Sequence, residues 1–344
     1  MVNETVICCG KSCDGAEGTY TYATIMTMIC AILYIIGGIA NSLAFVVLRL
    51  MKIRGSSILY LEVLAIADMI NCLTAGMFGR GLLILSEDYP FEYVRYNRIY
   101  QLYFRRLYLY VDFIFQMTMT TSPWLLFALS IDRYIAIRFP LSAIQICTTQ
   151  NALRVSISIW ILTFIFEIPT LWDKETYAVA PNHPCAYVYL RNLLLLNKQY
   201  AMYYDFLFAK VLLLFVPGII VLACNAHMYL LVQDAARMRR KLQQIDDDDK
   251  SNSTDSKQGR QITMTILVLN IIFTVEYMMS VINTFLPALL PEDGSKTWYR
   301  PYHSKQLLHA INSMINLFVY LGIRKGFGKT LVWFMSCHRL GKVM

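Results

Sequence analysis

Charged residues are scarce in this chain: of its 344 residues only 16% are Asp, Glu, Lys or Arg, while 57% are hydrophobic. With a mean hydropathy of +0.46, that balance lies outside the range of ordinary soluble domains. The sequence also lacks a nucleophile–base arrangement, a His/Cys spacing suited to a metal and a glycine-rich phosphate loop, which argues against an enzyme. No internal repeat is found, whereas transporter folds commonly show two related halves. The first 20 residues contain Glu4, Asp14 and Glu17 and no leading apolar run. They are therefore expected not to be a signal peptide, and the first apolar stretch is expected to act as the insertion signal.

What the sequence has is long apolar stretches, seven of them, at about residues 22–48, 58–84, 107–131, 153–172, 203–232, 261–288 and 304–323. Each is long enough for the roughly 20 residues that cross a hydrocarbon core of about 30 Å. The expected fold is an all-α membrane protein, a seven-transmembrane helix bundle over 22–323. A segment 1–21 precedes it, a tail 324–344 follows, and no soluble catalytic domain is expected at either end. An odd number of spans places the termini on opposite sides of the bilayer.

Basic residues flanking the loops set the orientation, because the cytoplasmic side retains an excess of Lys and Arg. Arg49, Lys52 and Arg54, then Arg138, then Arg237, Arg239, Arg240 and Lys241, and finally Arg324, Lys325 and Lys329 all fall on one side. On the other side Arg95, Arg98, Lys174, Arg191, Lys198, Lys296 and Arg300 are offset by Glu87, Asp88, Glu92, Asp173, Glu175, Glu292 and Asp293. The N-terminus is read as extracellular and the C-terminus as cytoplasmic. The glycosylation sequon at Asn3 agrees, although Asn252-Ser253-Thr254 matches the same pattern on the cytoplasmic side.

The segment 233–260 carries a basic run, then Asp246 to Asp249, then a Ser/Thr-rich piece, and reads as a flexible cytoplasmic loop. Ser251, Ser253, Thr254 and Ser256 are either phosphorylation sites or parts of a solvated linker. After the last span, basic residues mix with Phe327, Leu331, Trp333 and Phe334, as suits a short amphipathic helix on the inner membrane surface. Cys337 beyond it is a candidate for palmitoylation, with a free thiol as the alternative.

Ionisable groups inside membrane spans tend to face the bundle interior and to mark function. Asp68 is the clearest, deep in the second stretch, with Asn41, Ser122, Asn312, Ser313 and Asn316 at comparable depth in the first, third and seventh. A carboxylate among neutral oxygen donors, with no lysine nearby in sequence, suits a small hard cation or a hydrated hydrogen-bond network.

These residues, in this order, resemble the rhodopsin-like family of G-protein-coupled receptors. Gly38 to Asn41 resembles the first-span motif, Leu64 to Asp68 the second, and Asp132-Arg133-Tyr134 the signature at the end of the third. Trp160, Pro217 and Asn316 to Tyr320 continue the likeness through the fourth, fifth and seventh. The family's sodium site then falls on Asp68, Ser122, Asn312, Ser313 and Asn316, which makes sodium an allosteric modulator; no other cofactor is implied. Ser122 to Leu125, Ala128 to Tyr134, Gly55-Ser56-Ser57 and Tyr60 to Asp68 are similar to invertebrate FMRFamide-type neuropeptide receptors.

The chain also departs from the pattern. Leu317 replaces the seventh-span proline, weakening the usual break in helical bonding. Glu276, Tyr277 and Met279 stand where Cys, Trp and Pro are common, and Gly259 stands where many relatives have an acid that pairs with the third-span arginine. Tyr108 replaces the third-span cysteine, so Cys185 is expected to bond to Cys8, Cys9 or Cys13 and hold the N-terminus over the bundle; free or intermolecularly paired thiols are the alternative.

By the resemblance, Phe115 occupies the position of the aspartate of amine receptors, and Ala310 that of the retinal-bearing lysine of opsins, so neither an amine nor retinal is expected. The outer half holds Asp112, Glu167, Asp205 and Glu276, with Tyr277 and Phe115 beside them. Those acids suit a short basic amidated peptide, unless Lys210 and Arg105 already neutralise two of them. The implied mechanism is a population shift in which Arg133 leaves Asp132 and Tyr320 moves in beside it. The implied partners are a peptide ligand, a heterotrimeric G protein and the bilayer of the plasma membrane, with no nucleic acid. The alternatives are a receptor-like protein that no longer signals and a transporter.

Overall fold

The computed structural model of the chain describes residues 17–51, 55–80, 107–178, 188–192, 199, 203, 216–243, 268, 271–272, 274–275, 299–323 and 325–340. Four described helices are long and apolar enough to cross a bilayer: Met28–Leu50, Ser56–Gly76, Leu109–Arg138 and Thr149–Trp172.

Helix α1 (Glu17–Leu50) is followed by α2 (Ser56–Cys72), which runs on into a π-helical segment, Leu73–Arg80. Such segments leave carbonyls poorly paired, and here the Thr74 hydroxyl donates to the Ile70 and Asn71 carbonyls at 2.9 and 3.0 Å. Gly76 sets the approach of this segment to α1. A Cβ there would stand 2.8 Å from the Tyr34 Cβ, so any larger residue would push the two elements apart.

Helix α3 (Tyr108–Arg138) contains Pro123, whose missing N–H leaves the helical turn before it one bond short. A short helix α4 (Pro140–Ile146) starts on a proline, where the absent donor costs nothing. Helix α5 (Thr149–Glu167) is capped by Thr148, whose side chain accepts from the Asn151 N–H at 3.2 Å. Its buried residues are Ala152, Ser156, Ile159, Thr163 and Glu167, one helical face, while Ile157, Ile161, Leu162, Phe164 and Ile165 are exposed. An apolar exposed face on so apolar a helix is what lipid contact requires.

A one-turn helix, Thr170–Asp173, leads to the strand β1 (Lys174–Ala178), which pairs antiparallel with β2 (Val188–Asn192). Then come α6 (Val216–Gln243), α7 (Tyr299–Ile323) and α8 (Lys325–Leu340), the last turned by 96° from α7. Phe327 anchors α8: it is fully buried, against Tyr320 of α7. Val332, Trp333 and Met335 on the same helix are exposed, in keeping with an amphipathic surface helix. One apolar core runs through Val47 and Leu48 of α1, Leu61 and Leu64 of α2, Leu125 and Leu129 of α3 and Leu317 of α7.

Several boundaries differ from the sequence reading. Helix α1 begins at Glu17, inside the segment read as 1–21, because no proline stands between Glu17 and Thr21 to stop the helix running outward. Helix α6 continues to Gln243, so residues 233–243 are helical rather than part of the 233–260 loop; Ala235, Ala236, Met238 and the Arg/Lys run are strong helix formers. Helix α3 extends to Arg138, which places Asp132, Arg133 and Tyr134 more than a turn inside it. The β1–β2 hairpin adds strand to the helical bundle.

Candidate functional site

The polar side chains form three clusters along the bundle. At one end of α3, Arg133 binds its neighbour: Nε and a terminal guanidinium nitrogen lie 3.1 and 2.8 Å from Asp132 Oδ2. The start of α2 closes over this pair. Ser56 and Ser57 donate from their hydroxyls to the same Asp132 oxygen at 2.9 and 3.1 Å, and Arg133 donates to Ser56 Oγ at 3.2 Å. Asp132 thereby ties the start of α2 to the end of α3 through two serine hydroxyls. Tyr134 points elsewhere, its ring 5.4 Å from that of His227 on α6.

Cys147, in the turn between α4 and α5, joins this cluster with its thiol donating to the Asp132 carbonyl at 3.4 Å. Its burial first, then the Asp132 charge, push that thiol up to about 11, against a smaller opposing pull from Arg133. On the same end of the bundle the buried Glu62 carboxylate pairs with the exposed Arg49 at 3.1 Å.

The second cluster is built on Asp68. Ser122 of α3 donates to Oδ1 at 2.7 Å, and Asn316 of α7 donates to Oδ2 at 2.6 Å. Ser313 is buried one turn away, where its carbonyl accepts from Asn41 of α1 at 2.6 Å. Asn312 lies on α7 between His309 and Asn316 and is half-buried. The residues present fit a sodium ion: a carboxylate, two hydroxyls and amide oxygens form a hard-oxygen set. The Asn41 Oδ1 atom is also buried without a protein partner, so it can accept a water proton or contribute to a cation's shell.

A third cluster joins the same three helices about one turn along from Asp68. His309 Nε2 lies 2.9 Å from Asn71 Oδ1, and Asn71 Nδ2 donates to Thr118 Oγ1 at 3.2 Å. The sequence reading missed it, and it also missed the contacts of Ser56 and Ser57. Register alone finds two of its members, since Asn71 is three residues after Asp68 and Thr118 four before Ser122, each on the same helix face.

Of the residues read as an outer ligand pocket, Phe115 places its ring edge-on to His309 at 6.3 Å. Glu167 is buried at the seam of α3 and α5, accepting from Thr120 Oγ1 at 2.7 Å, and Asp112 is near enough to act on it through its charge. Asp205, Glu276 and Tyr277 lie outside the described residues, as do Asn3, Cys8, Cys9, Cys13 and Cys185. So does the Cys337 side chain, although its backbone is in α8. Asn316 and Tyr320 share α7, which passes unbroken through Leu317, and Tyr320 turns its ring to Phe327 at 5.5 Å.

Known proteins with matching sequences point the same way. Residues 40–320 match the family described as the 7 transmembrane receptor (rhodopsin family). The chain is 28% identical over 162 residues to galanin receptor type 2 of Mus musculus, covering 47% of this chain and 40% of that one. It is 29% identical over 158 residues to the Homo sapiens galanin receptor type 2, covering 46% and 38%, so the matched region spans less than half the length of either relative. The family match, unlike these, extends over most of the chain, and it identifies a receptor rather than an enzyme: the chain belongs to the rhodopsin family of seven-transmembrane receptors.

Proposed function

We propose that this receptor binds a short basic amidated peptide at its outer end and activates a heterotrimeric G protein at its inner end. The observation that carries the reading is the Asp132–Arg133 pair, a charged group held in reserve at the bundle's end by bonds short enough to be strong and few enough to be broken. Release of Arg133 supplies a cation at the surface a G protein would meet. The relatives are named as receptors for galanin, a neuropeptide, which favours a peptide over an amine or a lipid. Basic character follows from Asp112, Asp205 and Glu276, and amidation from the likeness to FMRFamide-type receptors.

In this reading Asp68, Ser122, Asn312, Ser313 and Asn316 hold a sodium ion in the resting state, and its positive charge stabilises the carboxylate there. The N-terminus is extracellular, bridged to Cys185 through Cys8, Cys9 or Cys13 and glycosylated at Asn3. Cys337 carries a palmitoyl chain that seats α8 on the inner face of the plasma membrane. Arg133 leaves Asp132 when a peptide that binds the active bundle better shifts the population; about 5.5 kcal/mol of differential affinity moves the ratio from roughly 1:99 to 99:1.

The experiment is a guanine-nucleotide exchange assay on membranes bearing the full chain, challenged with amidated peptides with and without arginine. Exchange driven by arginine-bearing peptides is expected. Response to none of them while the protein is at the cell surface would overturn the ligand class and favour a receptor-like protein that does not signal, for which the unbroken α7 at Leu317 is the supporting observation.

A further inference from the structure

We propose that His309 is a positioning residue that ties the floor of the outer pocket to the Asp68 cluster. The inference deepens the receptor reading above and rests on it for the meaning of the pocket.

Two polar tiers cross the same three helices. The inner tier is Asp68 of α2, Ser122 of α3 and Asn316 of α7; the outer tier is Asn71 of α2, Thr118 of α3 and His309 of α7. All three outer members are buried, Thr118 and Asn71 almost completely. Three apolar residues would fill this space without a desolvation cost, so the tier adds direction to the packing that an apolar trio would lack.

Counting protons fixes that direction. The Thr118 hydroxyl has one proton, and it is donated to the Ile114 and Phe115 carbonyls, each at 3.0 Å. Its oxygen must therefore accept from Asn71 Nδ2, which turns Asn71 Oδ1 toward His309. His309 must then carry its proton on Nε2 and donate it to that oxygen. Bonds in such a chain all run one way, and removal of the first donor strands the Asn71 oxygen in the bundle.

The histidine ring is also the piece that the pocket touches. Phe115 meets it edge-on at 6.3 Å, and Tyr34 of α1 meets it at 6.0 Å with the planes tilted by 57°. A ligand that displaces Phe115 moves the ring, the ring moves Asn71, and Asn71 lies one turn from Asp68 on a helix that carries both. Immediately beyond, at Leu73, α2 becomes π-helical, so its outer part is already separated from the regular inner part.

The test uses purified full-length protein in lipid nanodiscs, its thermal unfolding followed while sodium chloride replaces N-methyl-D-glucamine chloride at constant ionic strength. His309→Phe keeps a ring and removes the donor; His309→Gln returns an amide N–H near the place of Nε2. Phe is expected to lower the unfolding midpoint by about 2–4 °C and to weaken the sodium midpoint roughly tenfold, and Gln to restore both. Without sodium, His309→Phe combined with Asp68→Asn is expected to lower the midpoint by less than the sum of the single shifts. Additive shifts, or Gln behaving as Phe does, would overturn the proposal. Should His309→Phe not fold, Thr118→Val replaces it in the same cycle, where a combined shift below the sum supports the proposal and an additive one overturns it. A lack of sodium response in the unaltered protein refutes the cation reading of Asp68, while the sodium-free cycle still decides the role of His309. Neither measurement needs a peptide or a G protein.

Discussion

Asp132 and Asp68 are both buried carboxylates, but the bundle holds them differently. Asp132 is paired with the guanidinium next to it in sequence, at 2.8 Å, and two serines from the start of α2 complete its shell. Asp68 takes its bonds from a hydroxyl on α3 and an amide on α7, each from a helix other than its own. The first arrangement brings its own counter-charge and can be opened by moving one end of one helix. The second stitches three helices together in mid-bundle, where the lost bonds cannot be replaced by bulk water. The Asp132 cluster is therefore suited to switching, and the Asp68 cluster to holding the bundle in register.

The largest expected effect breaks the switching half of that contrast. Arg133→Ala should reduce peptide-stimulated nucleotide exchange to background while surface expression and peptide binding stay near those of the unaltered protein, as read by exchange assay and surface labelling in parallel. An undiminished agonist response would remove Arg133 from the mechanism.

Next in size is a loss in the holding half. Asn316→Ala removes the 2.6 Å bond that the Asn316 amide donates to the buried Asp68 carboxylate. A bond to a charged group is worth about 1.5–3 kcal/mol, so the unfolding midpoint of the purified protein should fall clearly, and Ser122→Ala should have an effect of similar size. If both variants unfold like the parent, the stitching role assigned to Asp68 is wrong.

A smaller effect separates the two clusters directly. Replacing Ser56 and Ser57 together by Ala frees Asp132 from α2 while sparing the ion pair, and should raise exchange in the absence of peptide by roughly tenfold, the equivalent of about 1.4 kcal/mol. The same variant should leave thermal stability less affected than Asn316→Ala does. Unchanged basal exchange would show that the clamp does not restrain the switch.

The smallest effect sharpens the picture of the Asp132 environment. Burial and the neighbouring carboxylate hold the Cys147 thiol up to about 11, and only the thiolate reacts with alkylating agents. Because the shift is upward, the thiolate fraction at neutral pH is lower than for an exposed cysteine and rises as pH climbs toward that value. Alkylation of Cys147 by iodoacetamide, followed by mass spectrometry, should accelerate through pH 9 to about 11. Asp132→Asn should bring the rise to lower pH, and a profile unchanged by that substitution would mean that burial alone sets it.

Much of this is legible in the sequence for a physical reason. Apolar length is a local property, so the apolar spans stand out in the order of residues itself, whereas the buried face of α5, Ala152, Ser156, Ile159, Thr163 and Glu167, is set by what packs against it. Helix ends are less legible. Gln243 is a good helix former in a polar stretch, and whether a polar stretch continues a helix depends on the helix already formed before it, not on its own hydropathy. The hairpin of Lys174–Ala178 with Val188–Asn192 stays hidden because its pairing is not carried by an apolar alternation.

The chain's composition and order of residues by themselves determined a chain of long apolar helices, and the likeness of its motifs to the rhodopsin family singled out Asp68 and Asp132-Arg133-Tyr134 along them. Which side chains close on those groups was decided only by the tertiary structure. Ser56 reaches Asp132 across 76 positions and His309 reaches Asn71 across 238, pairings that depend on how far each helix is rotated and how deeply it is set. Those two quantities follow from packing, as where Gly76 lets the π segment approach Tyr34, and where a Cβ on Gly37 would stand only 3.0 Å from the Cys72 sulfur. A shift of one residue along any of the three helices would turn Asn71, Thr118 or His309 by about 100° and undo the tier, and no local pattern in the sequence records that angle.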